Sequence, residues 1–302
     1  MKLNSHPIIN SRLFRVLDLL KDSENSLREK NIENPILNAE LLLSDTLNIP
    51  RINLYLDFER LLTENEIASC REKTKRRLSG EPLQYILWYA EFFGTKFKVN
   101  GDVLIPRPET EILVEKCLNV LSVYKPSSFR ILEIGAGSGC ISISIAKTLV
   151  PNGIAGPKID AIDVSNQALS VAKENSSTHN VSDSINFLHK DLFKDLTSFE
   201  GYNFVISNPP YIASDEFDNL PDEIKLYEPR SALTDDKDGL EYYRKIIELS
   251  LNTKSPVMCL LEIGDSKKNK VEVLLQKNNI NKYSFYKDLL NIDRVVMFQI
   301  NS

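Results

Sequence analysis

The chain has 302 residues, of which 42% are hydrophobic and 26% are charged, and its formal net charge at pH 7 is −5. This length and composition fit one large or two ordinary globular domains. They disfavour unaided binding to a polyanion, which needs a basic surface, and they disfavour a membrane protein, because no long apolar stretch occurs.

The N-terminal segment interleaves charged residues with apolar ones, so it lacks the pattern of a secretory signal. The four cysteines of the chain are scattered without a Cys-x-x-Cys pair, and there are only three histidines. We therefore expect a reduced cytoplasmic protein with no metal site.

Residues 1–85 have few strand signals, and their apolar side chains recur at helical spacing. The apolar positions are Leu13, Val16, Leu17 and Leu20, followed by Ala39, Leu42, Leu43 and Leu47. This pattern predicts a small helical bundle. A basic cluster between Arg71 and Arg77 is either the solvated face of a helix or a patch that binds a partner.

A β-hairpin is predicted after the bundle. Residues 91–99 and 102–105 fit two strands, and Asn100-Gly101 between them is a typical hairpin turn. Pro108 then stands in the first turn of the next helix. Glu109 and Glu111 lie near the positive end of that helix, which gives the segment a purely structural interpretation.

The next feature is a glycine turn after a buried strand. The strand Arg130–Ile134 runs into Gly135-Ala136-Gly137-Ser138-Gly139 and then into an apolar helix, an order typical of a doubly wound α/β domain. The spacing is not that of dinucleotide-binding or triphosphate-binding loops. Glycines let a small ligand approach the backbone, and Glu133 before them could bind an ammonium group. By itself a glycine turn is a weak signal.

Acidic residues follow the next two predicted strands. Lys158–Asp163 ends in a carboxylate that could accept both hydroxyls of a ribose, or could cap the helix that begins at Asn166. Ile185–His189 leads to Asp191 and Leu192, which could contact the edge and the face of an adenine. Asp191 could equally be a solvated turn residue.

Asn208-Pro209-Pro210-Tyr211 directly follows the apolar run 202–206. The two prolines supply carbonyls but no N–H, and they favour an extended backbone at Asn208. An amide side chain, a free carbonyl and an aromatic ring can hold a planar –NH2 group by both hydrogens and leave the nitrogen face open. That arrangement suits methylation of an amide or amino nitrogen. The same residues could form an ordinary Pro-Pro loop that closes a buried strand.

The rest of the chain is predicted to complete the sheet. Residues 213–238 form a polar connection whose length is typical of lids and binding segments. Further strands are predicted at residues 257–263, 282–287 and 294–300.

In this order, the Gly135–Gly139 turn, Asp163 and Asn208–Tyr211 resemble a class I S-adenosylmethionine-dependent methyltransferase. Three more segments narrow the resemblance: Gly80–Ile86, Leu104–Glu111 and Glu228–Leu233. With them the chain resembles the protein-(glutamine-N5) methyltransferases of peptide-chain release factors, the PrmC/HemK family, over roughly residues 10–300.

Trp88 departs from this family, which usually has glycine at that position. The departure concerns the local turn between the predicted domains and not the chemistry.

The resemblance implies an α/β fold: a doubly wound, mostly parallel seven-stranded methyltransferase sheet with a reversed last strand. It implies an N-terminal helical domain (1–85) that docks the substrate, a β-hairpin linker (86–107) and a methyltransferase domain (108–302). The implied reaction moves a methyl group from S-adenosylmethionine to the glutamine N5 of a release-factor Gly-Gly-Gln loop and leaves S-adenosylhomocysteine. We expect a monomer that acts on class I release factors and binds neither nucleic acid nor membrane directly.

Residue roles follow from the matching motifs. The predicted catalytic residues are Asn208, Pro209 and Tyr211. The predicted cofactor-binding residues are Glu133, Gly135, Ala136, Gly137, Ser138, Gly139, Asp163, Asp191, Leu192 and Asn208. The predicted substrate-binding residues are Asn208, Pro209, Pro210, Tyr211, Arg107 and Glu109.

Two other function classes stay open. A DNA adenine or ribosomal RNA guanine methyltransferase would use the same four-residue motif, but residues 86–302 carry 24 basic and 29 acidic residues, which is a poor surface for nucleic acid. A regulatory protein that binds the cofactor without catalysis would not need Asn208, Pro209 and Tyr211 together.

Overall fold

The computed structural model describes residues 14–124, 129–150 and 158–301. Leu13, the first apolar position of the predicted bundle, lies outside these ranges. The chain divides between Leu87 and Trp88 into two compact units.

The first unit contains five helices in its described part. They are α1 (Val16–Glu29), α2 (Pro35–Leu47), α3 (Arg51–Leu56), α4 (Glu64–Leu78) and α5 (Leu83–Leu87). Of the predicted apolar positions, Val16, Leu20, Ala39, Leu42 and Leu43 are buried and Leu47 packs against this core, whereas Leu17 is only partly buried and is not part of it. Helix α4 begins with a capping box, in which Thr63 Oγ1 accepts from the Glu66 N–H at 3.3 Å and Glu66 accepts from the Thr63 N–H at 2.8 Å.

The basic cluster on α4 forms bonds within the bundle. Lys73 pairs with Asp45, Arg76 pairs with Glu81, and Arg71 lies 3.5 Å from Asp22. The Arg77 guanidinium is buried and donates to Asn38 Oδ1 at 2.8 Å. These ion pairs and this hydrogen bond join α4 to other parts of the same unit. Most of the basic side chains are therefore paired, and they form neither a simple solvated helix face nor an unoccupied partner-binding patch.

The second unit opens with a hairpin that differs from the predicted one. Strands β1 (Tyr89–Phe92) and β2 (Thr95–Lys98) pair across Phe93-Gly94, not across Asn100-Gly101. Both turn residues have positive φ, +50° and +66°, as a tight two-residue hairpin turn requires. The prediction failed because phenylalanine rarely adopts this conformation. Asn100-Gly101 does form a turn, in which the Val103 N–H donates to the Asn100 carbonyl at 3.1 Å. Residues 102–105, the predicted second strand, do not form a strand.

The sheet of the second unit has seven strands in the described residues. They are β3 (Arg130–Ile134), β4 (Lys158–Asp163), β5 (Ile185–His189), β6 (Phe204–Ser207), β7 (Val257–Glu262), β8 (Tyr283–Lys287) and β9 (Asp293–Ile300). Their order is β5-β4-β3-β6-β7-β9-β8, and β9 runs in the direction opposite to that of the other six strands. The predicted mostly parallel sheet with a reversed last strand is confirmed. Strand order reverses between β3 and β6, where doubly wound folds bind ligands.

Helices accompany the sheet: α6 (Glu111–Tyr124), α7 (Cys140–Leu149), α8 (Asn166–Thr178), α9 (Ser214–Phe217), α10 (Asp222–Tyr227), α11 (Arg230–Leu233), α12 (Glu241–Leu251) and α13 (Lys268–Lys277). Alternate residues of a strand enter different cores. Ile131 packs with residues of α6, α7 and α8, and Leu132 packs with residues of α12 and α13. The polar connection 213–238 contains α9, α10 and α11. No helix in the described ranges is long and apolar enough to cross a membrane.

Trp88, where the chain departs from the family pattern, has a φ of +65° and is 54% exposed. A left-handed backbone costs a non-glycine residue about 1 kcal/mol or more, whereas glycine adopts it readily.

We predict that Trp88→Gly is more stable than Trp88→Ala by about 1 kcal/mol, measured by chemical denaturation. The alanine variant controls for loss of the indole, so equal stabilities would contradict a backbone cost at this position.

Candidate active site

A cavity of about 320 Å³ lies at the carboxyl ends of the parallel strands. Residues from four strand ends line it: Gly135 and Gly137 after β3, Asp163 at the end of β4, Asp191 and Leu192 after β5, and Asn208 and Pro210 after β6. Carboxyl ends of parallel strands meet at one edge of the sheet, and this brings together residues as far apart in sequence as Gly135 and Pro210.

The three glycines of the turn have different roles. All have positive φ, but a Cβ at Gly135 or Gly137 would meet nothing within 4 Å. Both residues line the cavity, so the backbone there is open to a ligand. A Cβ at Gly139 would lie 2.9 Å from Ile143 and 3.2 Å from Ala172. Gly139 therefore permits close packing of α7 against α8.

The other two residues of the turn, Ala136 and Ser138, are buried and, like Gly139, do not line the cavity. The Ser138 carbonyl accepts from Asn175 Nδ2 at 2.9 Å, which ties the turn to α8.

Asp163 holds the turn in place. Its Oδ2 accepts from the Gly137 N–H at 2.9 Å, and its Oδ1 accepts from the Ser165 N–H at 2.9 Å. The cap of α8 is Ser165, whose Oγ accepts from the Ala168 N–H at 3.1 Å. Each carboxylate oxygen can accept a second hydrogen bond, so Asp163 has capacity left for hydroxyl groups of a ligand in the cavity.

Asp191 takes part in a turn and also lines the cavity. Its carboxylate accepts from the Phe193 N–H at 2.8 Å and pairs with Lys194 at 2.9 Å. Burial by itself would raise the pKa of Asp191. The hydrogen bonds from Lys194 and Phe193 together have the larger effect, so the pKa lies below its usual value. Asp191 therefore stays ionised beside the cavity.

Sequence reasoning missed several lining residues. Phe193 and Tyr242 both line the cavity, and their rings meet edge to face with centroids 5.1 Å apart. Gly101 and Asp102 come from the turn at Asn100-Gly101, which the sequence predicts as a hairpin turn. Pro229, Ser231 and Ala232 belong to the Glu228–Leu233 segment, which the sequence had marked without a role.

Glu133 is buried beside the turn without lining the cavity. Its Oε2 accepts a short bond from the Ser142 hydroxyl, and its buried Oε1 has no partner among the residues described. Burial raises the pKa of Glu133 from its usual 4.5 to about 8, although the Ser142 bonds lower it in part. An unpaired buried carboxylate oxygen is costly. A cationic group such as the ammonium of S-adenosylmethionine would satisfy it.

Asn208 presents its side chain at the cavity wall. Its Nδ2 donates to Thr110 Oγ1 at 3.1 Å. In the described ranges, neither Asn208 Oδ1 nor the Pro209 carbonyl accepts a hydrogen bond. Two acceptors of the Asn-Pro-Pro-Tyr motif are therefore free.

Tyr211 is held by two glycines and does not line the cavity. A Cβ at Gly264 would lie 2.8 Å from the Tyr211 ring, and a Cβ at Gly239 would lie 2.3 Å from the Tyr211 carbonyl oxygen. Burial raises the pKa of the Tyr211 hydroxyl well above its usual range, so this group stays protonated at neutral pH.

Arg107 and Glu109, the remaining predicted substrate residues, do not line the cavity either. The Arg107 guanidinium pairs with the buried Glu228 carboxylate at 2.5 Å, and the Ile105 N–H donates to the same carboxylate at 3.3 Å. This pair joins two segments that the sequence marked separately. No group of three or more potential metal ligands occurs within the described residues.

Two family models match the chain: the PrmC N-terminal domain over residues 18–87 and the methyltransferase small domain over residues 110–224. The chain is similar to proteins named release factor glutamine methyltransferase in three bacteria. It is 37% identical to that of Fusobacterium nucleatum, over 93% of this chain and 78% of the relative. It is 40% identical to that of Chlorobaculum tepidum, over 82% of this chain and 85% of the relative. It is 34% identical to that of Geobacter sulfurreducens, over 94% of this chain and 96% of the relative.

Among solved structures, the chain is similar to the hMettl16 catalytic domain, solved in complex with MAT2A 3'UTR hairpin 6. The TM-score is 0.52 and the identity 19%, over 80% of this chain and 84% of that one. At this identity the likeness shows the fold alone.

The open space at Gly137 can be tested against a matched glycine. Gly94 in the hairpin turn also has positive φ and no atom within 4 Å of a built Cβ, but it does not line the cavity. We expect Gly137→Ala and Gly94→Ala each to cost roughly 1 kcal/mol of folding free energy. Calorimetry should show at least tenfold weaker S-adenosylhomocysteine binding for Gly137→Ala only. Equal affinities in both variants would remove Gly137 from the binding site.

Glu133 should lose a proton when an ammonium group binds at its unpaired oxygen. The pKa of Glu133 near 8 leaves this carboxyl mostly protonated at pH 6.5, and an ammonium ligand favours its ionised form. Binding of S-adenosylhomocysteine should therefore release a proton, and affinity should rise with pH up to about 8. Calorimetry in buffers of different ionisation enthalpy measures the release.

Glu133→Gln should abolish the proton release and weaken binding at pH 8. Glu262→Gln is the control, because it removes another buried carboxyl with a raised pKa, near 7. Equal proton release by the wild type and Glu133→Gln would show that no ammonium binds there.

Proposed function

Since the chain belongs to the release factor glutamine methyltransferase family, we propose that it methylates the N5 amide nitrogen of the glutamine in the Gly-Gly-Gln motif of class I release factors. The observation that carries this proposal is that Asn208 Oδ1 and the Pro209 carbonyl accept no hydrogen bond from the described residues, while Asn208 and Pro210, on either side of Pro209, line the cavity. A primary amide has two N–H bonds, one for each acceptor.

The residues that would hold the cofactor are grouped around the cavity. Gly135 and Gly137 admit the ligand to the backbone, Asp163 can accept from ribose hydroxyls, and Glu133 can receive the ammonium group. Asp191 and Leu192 border the part of the cavity that suits an adenine, with Phe193 and Tyr242 as further apolar walls. When bound, S-adenosylmethionine supplies an electrophilic methyl group on a sulfonium.

The Asn208 and Pro209 acceptors would act mainly by orientation. An amide nitrogen is a poor nucleophile because its lone pair is delocalised into the carbonyl. Two acceptors in the amide plane raise the electron density on nitrogen and direct its open face toward the methyl donor. Orientation of this kind can supply roughly 7–11 kcal/mol of a barrier.

Tyr211 would close the site on the substrate side. Its ring is packed at Gly264 and its backbone at Gly239, so it forms a rigid wall that can stack on the substrate amide and exclude water. Its raised pKa excludes a role as a base at neutral pH. The nitrogen loses its extra proton after methyl transfer, when that proton is acidic, so a strong base is not needed beforehand.

The helical unit would dock the release factor and present its Gly-Gly-Gln loop, and the enzyme would act as a cytoplasmic monomer without direct contact to nucleic acid. The test is mass spectrometry of a class I release factor after incubation with the enzyme and S-adenosylmethionine. The expected result is a single added methyl group on the Gly-Gly-Gln glutamine. Methylation of ribosomal RNA or DNA incubated under the same conditions, with no methylation of the release factor, would refute the proposal.

Asn208→Ala removes one acceptor at the reacting centre. Turnover should fall by about 10²–10³, by analogy with the loss of one preorganised hydrogen-bonding group at an active site. Cofactor affinity should change much less. Asn278→Ala, at the exposed end of α13, controls for loss of an asparagine that bonds only a local carbonyl. Single-turnover kinetics near the wild-type rate for Asn208→Ala would show that its side chain does not act on the substrate.

A further inference from the structure

Two of the segments that carry the family resemblance, residues 104–111 and 228–233, meet in the structure. Part of the cavity wall comes from the first segment and the turn before it, through residues 101–104. Another part comes from the second segment, through Pro229, Ser231 and Ala232. These two stretches are far apart in the sequence, so the shape of the cavity depends on what holds them together.

Glu228 makes the contact between the two stretches. It is 5% exposed, its Oε1 lies 2.5 Å from the Arg107 guanidinium, and its Oε2 accepts from the Ile105 N–H at 3.3 Å. The main chains also approach each other, because a Cβ at Gly101 would lie 3.8 Å from the Tyr227 carbonyl oxygen. One buried carboxylate therefore joins both a side chain and the main chain of the first segment to the start of the second.

The second segment is attached at its other end to the Asn-Pro-Pro-Tyr motif. The N–H of Ile212, the residue after Tyr211, donates to the Leu233 carbonyl at 3.0 Å, and Ile212 forms a parallel β-bridge with Thr234. Glu228 and Leu233 thus hold the two ends of a stretch whose middle lines the cavity. A change at Glu228 should therefore move the cavity wall.

The buried Glu228 carboxylate depends on its cationic partner. If the Arg107 guanidinium is removed, a buried charge is left without compensation, which is more damaging than replacing both members of the pair by neutral groups. An exposed ion pair would have little effect of this kind. The burial of Glu228 therefore makes its pairing with Arg107 a strong constraint on the two stretches.

We propose that Arg107 and Glu228 are positioning residues, which hold residues 101–104 against residues 229–232 as one wall of the cofactor cavity. This inference rests on the proposed function, because it takes the cavity to be the S-adenosylmethionine site. It gives Arg107 a part different from the substrate contact that its motif predicts, since the guanidinium bonds Glu228 and does not line the cavity.

The experiment compares Arg107→Met, Glu228→Gln and the double variant by calorimetry with S-adenosylhomocysteine. Arg107→Met removes the charge and keeps an apolar stem, and binding should weaken about ten- to a hundredfold, by analogy with residues that orient metal ligands. Glu228→Gln leaves no buried charge and should weaken binding less, by about three- to tenfold. The double variant should bind more tightly than Arg107→Met alone, because a neutral amide does not need a cation.

Steady-state kinetics separates this role from a contact with the release factor. In Arg107→Met the KM for S-adenosylmethionine should rise, while kcat at saturating cofactor stays within about threefold of the wild type. If Arg107 contacted the release factor directly, the KM for the release factor alone would rise. Glu228→Gln in the same chain would then give no rescue, and the inference would be overturned.

Arg130 and Asp160 are the matched control pair. The Arg130 guanidinium lies 2.7 Å from the Asp160 carboxylate, and Asp160 is 5% exposed. Arg130 begins β3, so this pair lies at the edge of the sheet opposite the cavity. Arg130→Met and Asp160→Asn should lower stability in chemical denaturation and leave S-adenosylhomocysteine affinity unchanged. A loss of affinity in Arg130→Met equal to that in Arg107→Met would overturn the inference, because it would reflect lost stability alone.

Wild-type affinity in Arg107→Met, or no rescue in the double variant, would overturn the inference and leave the proposed function intact. If Arg107→Met does not fold, the comparison of Glu228→Gln with Asp160→Asn decides, and equal affinities in these two variants would overturn the inference. Failure of the wild-type enzyme to methylate the release factor would instead refute the proposed function, whatever the affinities of the variants.

Discussion

Two buried carboxylates at strand ends constrain the chemistry of this molecule. Glu133 near the end of β3 and Glu262 at the end of β7 are each at most 2% exposed, and each has one oxygen without a partner in the described residues. Burial of a charge is costly unless other groups compensate. The Ser142 hydroxyl donates to Glu133, and burial raises the pKa of both carboxyl groups, to about 8 for Glu133 and about 7 for Glu262. Two incompletely compensated acids close to a cavity are typical of a functional site.

The two acids differ in their surroundings. Glu133 lies beside the glycine turn, where a cation would compensate its free oxygen. Glu262 ends β7, which pairs with β6, the strand that leads into Asn208. Strand β6 lies between β3 and β7, so the Asn-Pro-Pro-Tyr motif leaves the sheet between the two acids. Cofactor and substrate groups can thus meet at one sheet edge from opposite sides.

The sequence was sufficient for features that depend on periodicity and strand order. Buried runs predicted β3 to β7, and residues at their carboxyl ends, such as Gly137, Asp163 and Asn208, meet at the cavity because parallel strands place them there. Contacts between residues far apart in the chain could not be predicted from the sequence. Neither Arg107 with Glu228 nor Thr110 with Asn208 has a local signal, since the partners are 121 and 98 residues apart in the sequence. The hairpin prediction failed because a strong Asn-Gly signal outweighed Phe93-Gly94, whose backbone follows from the flanking strand pairing.

The raised pKa values also connect folding with ligand binding. The folded pKa of Glu133, about 8, exceeds the usual 4.5 of the unfolded chain, so between these values the folded state binds more protons. Folding stability then falls as pH rises through this range, and Glu262 acts in the same direction up to about 7. A bound ammonium would favour the ionised Glu133 and offset part of the loss. The empty protein is therefore weakened at neutral pH, and a cofactor whose ammonium binds at Glu133 would restore part of that stability.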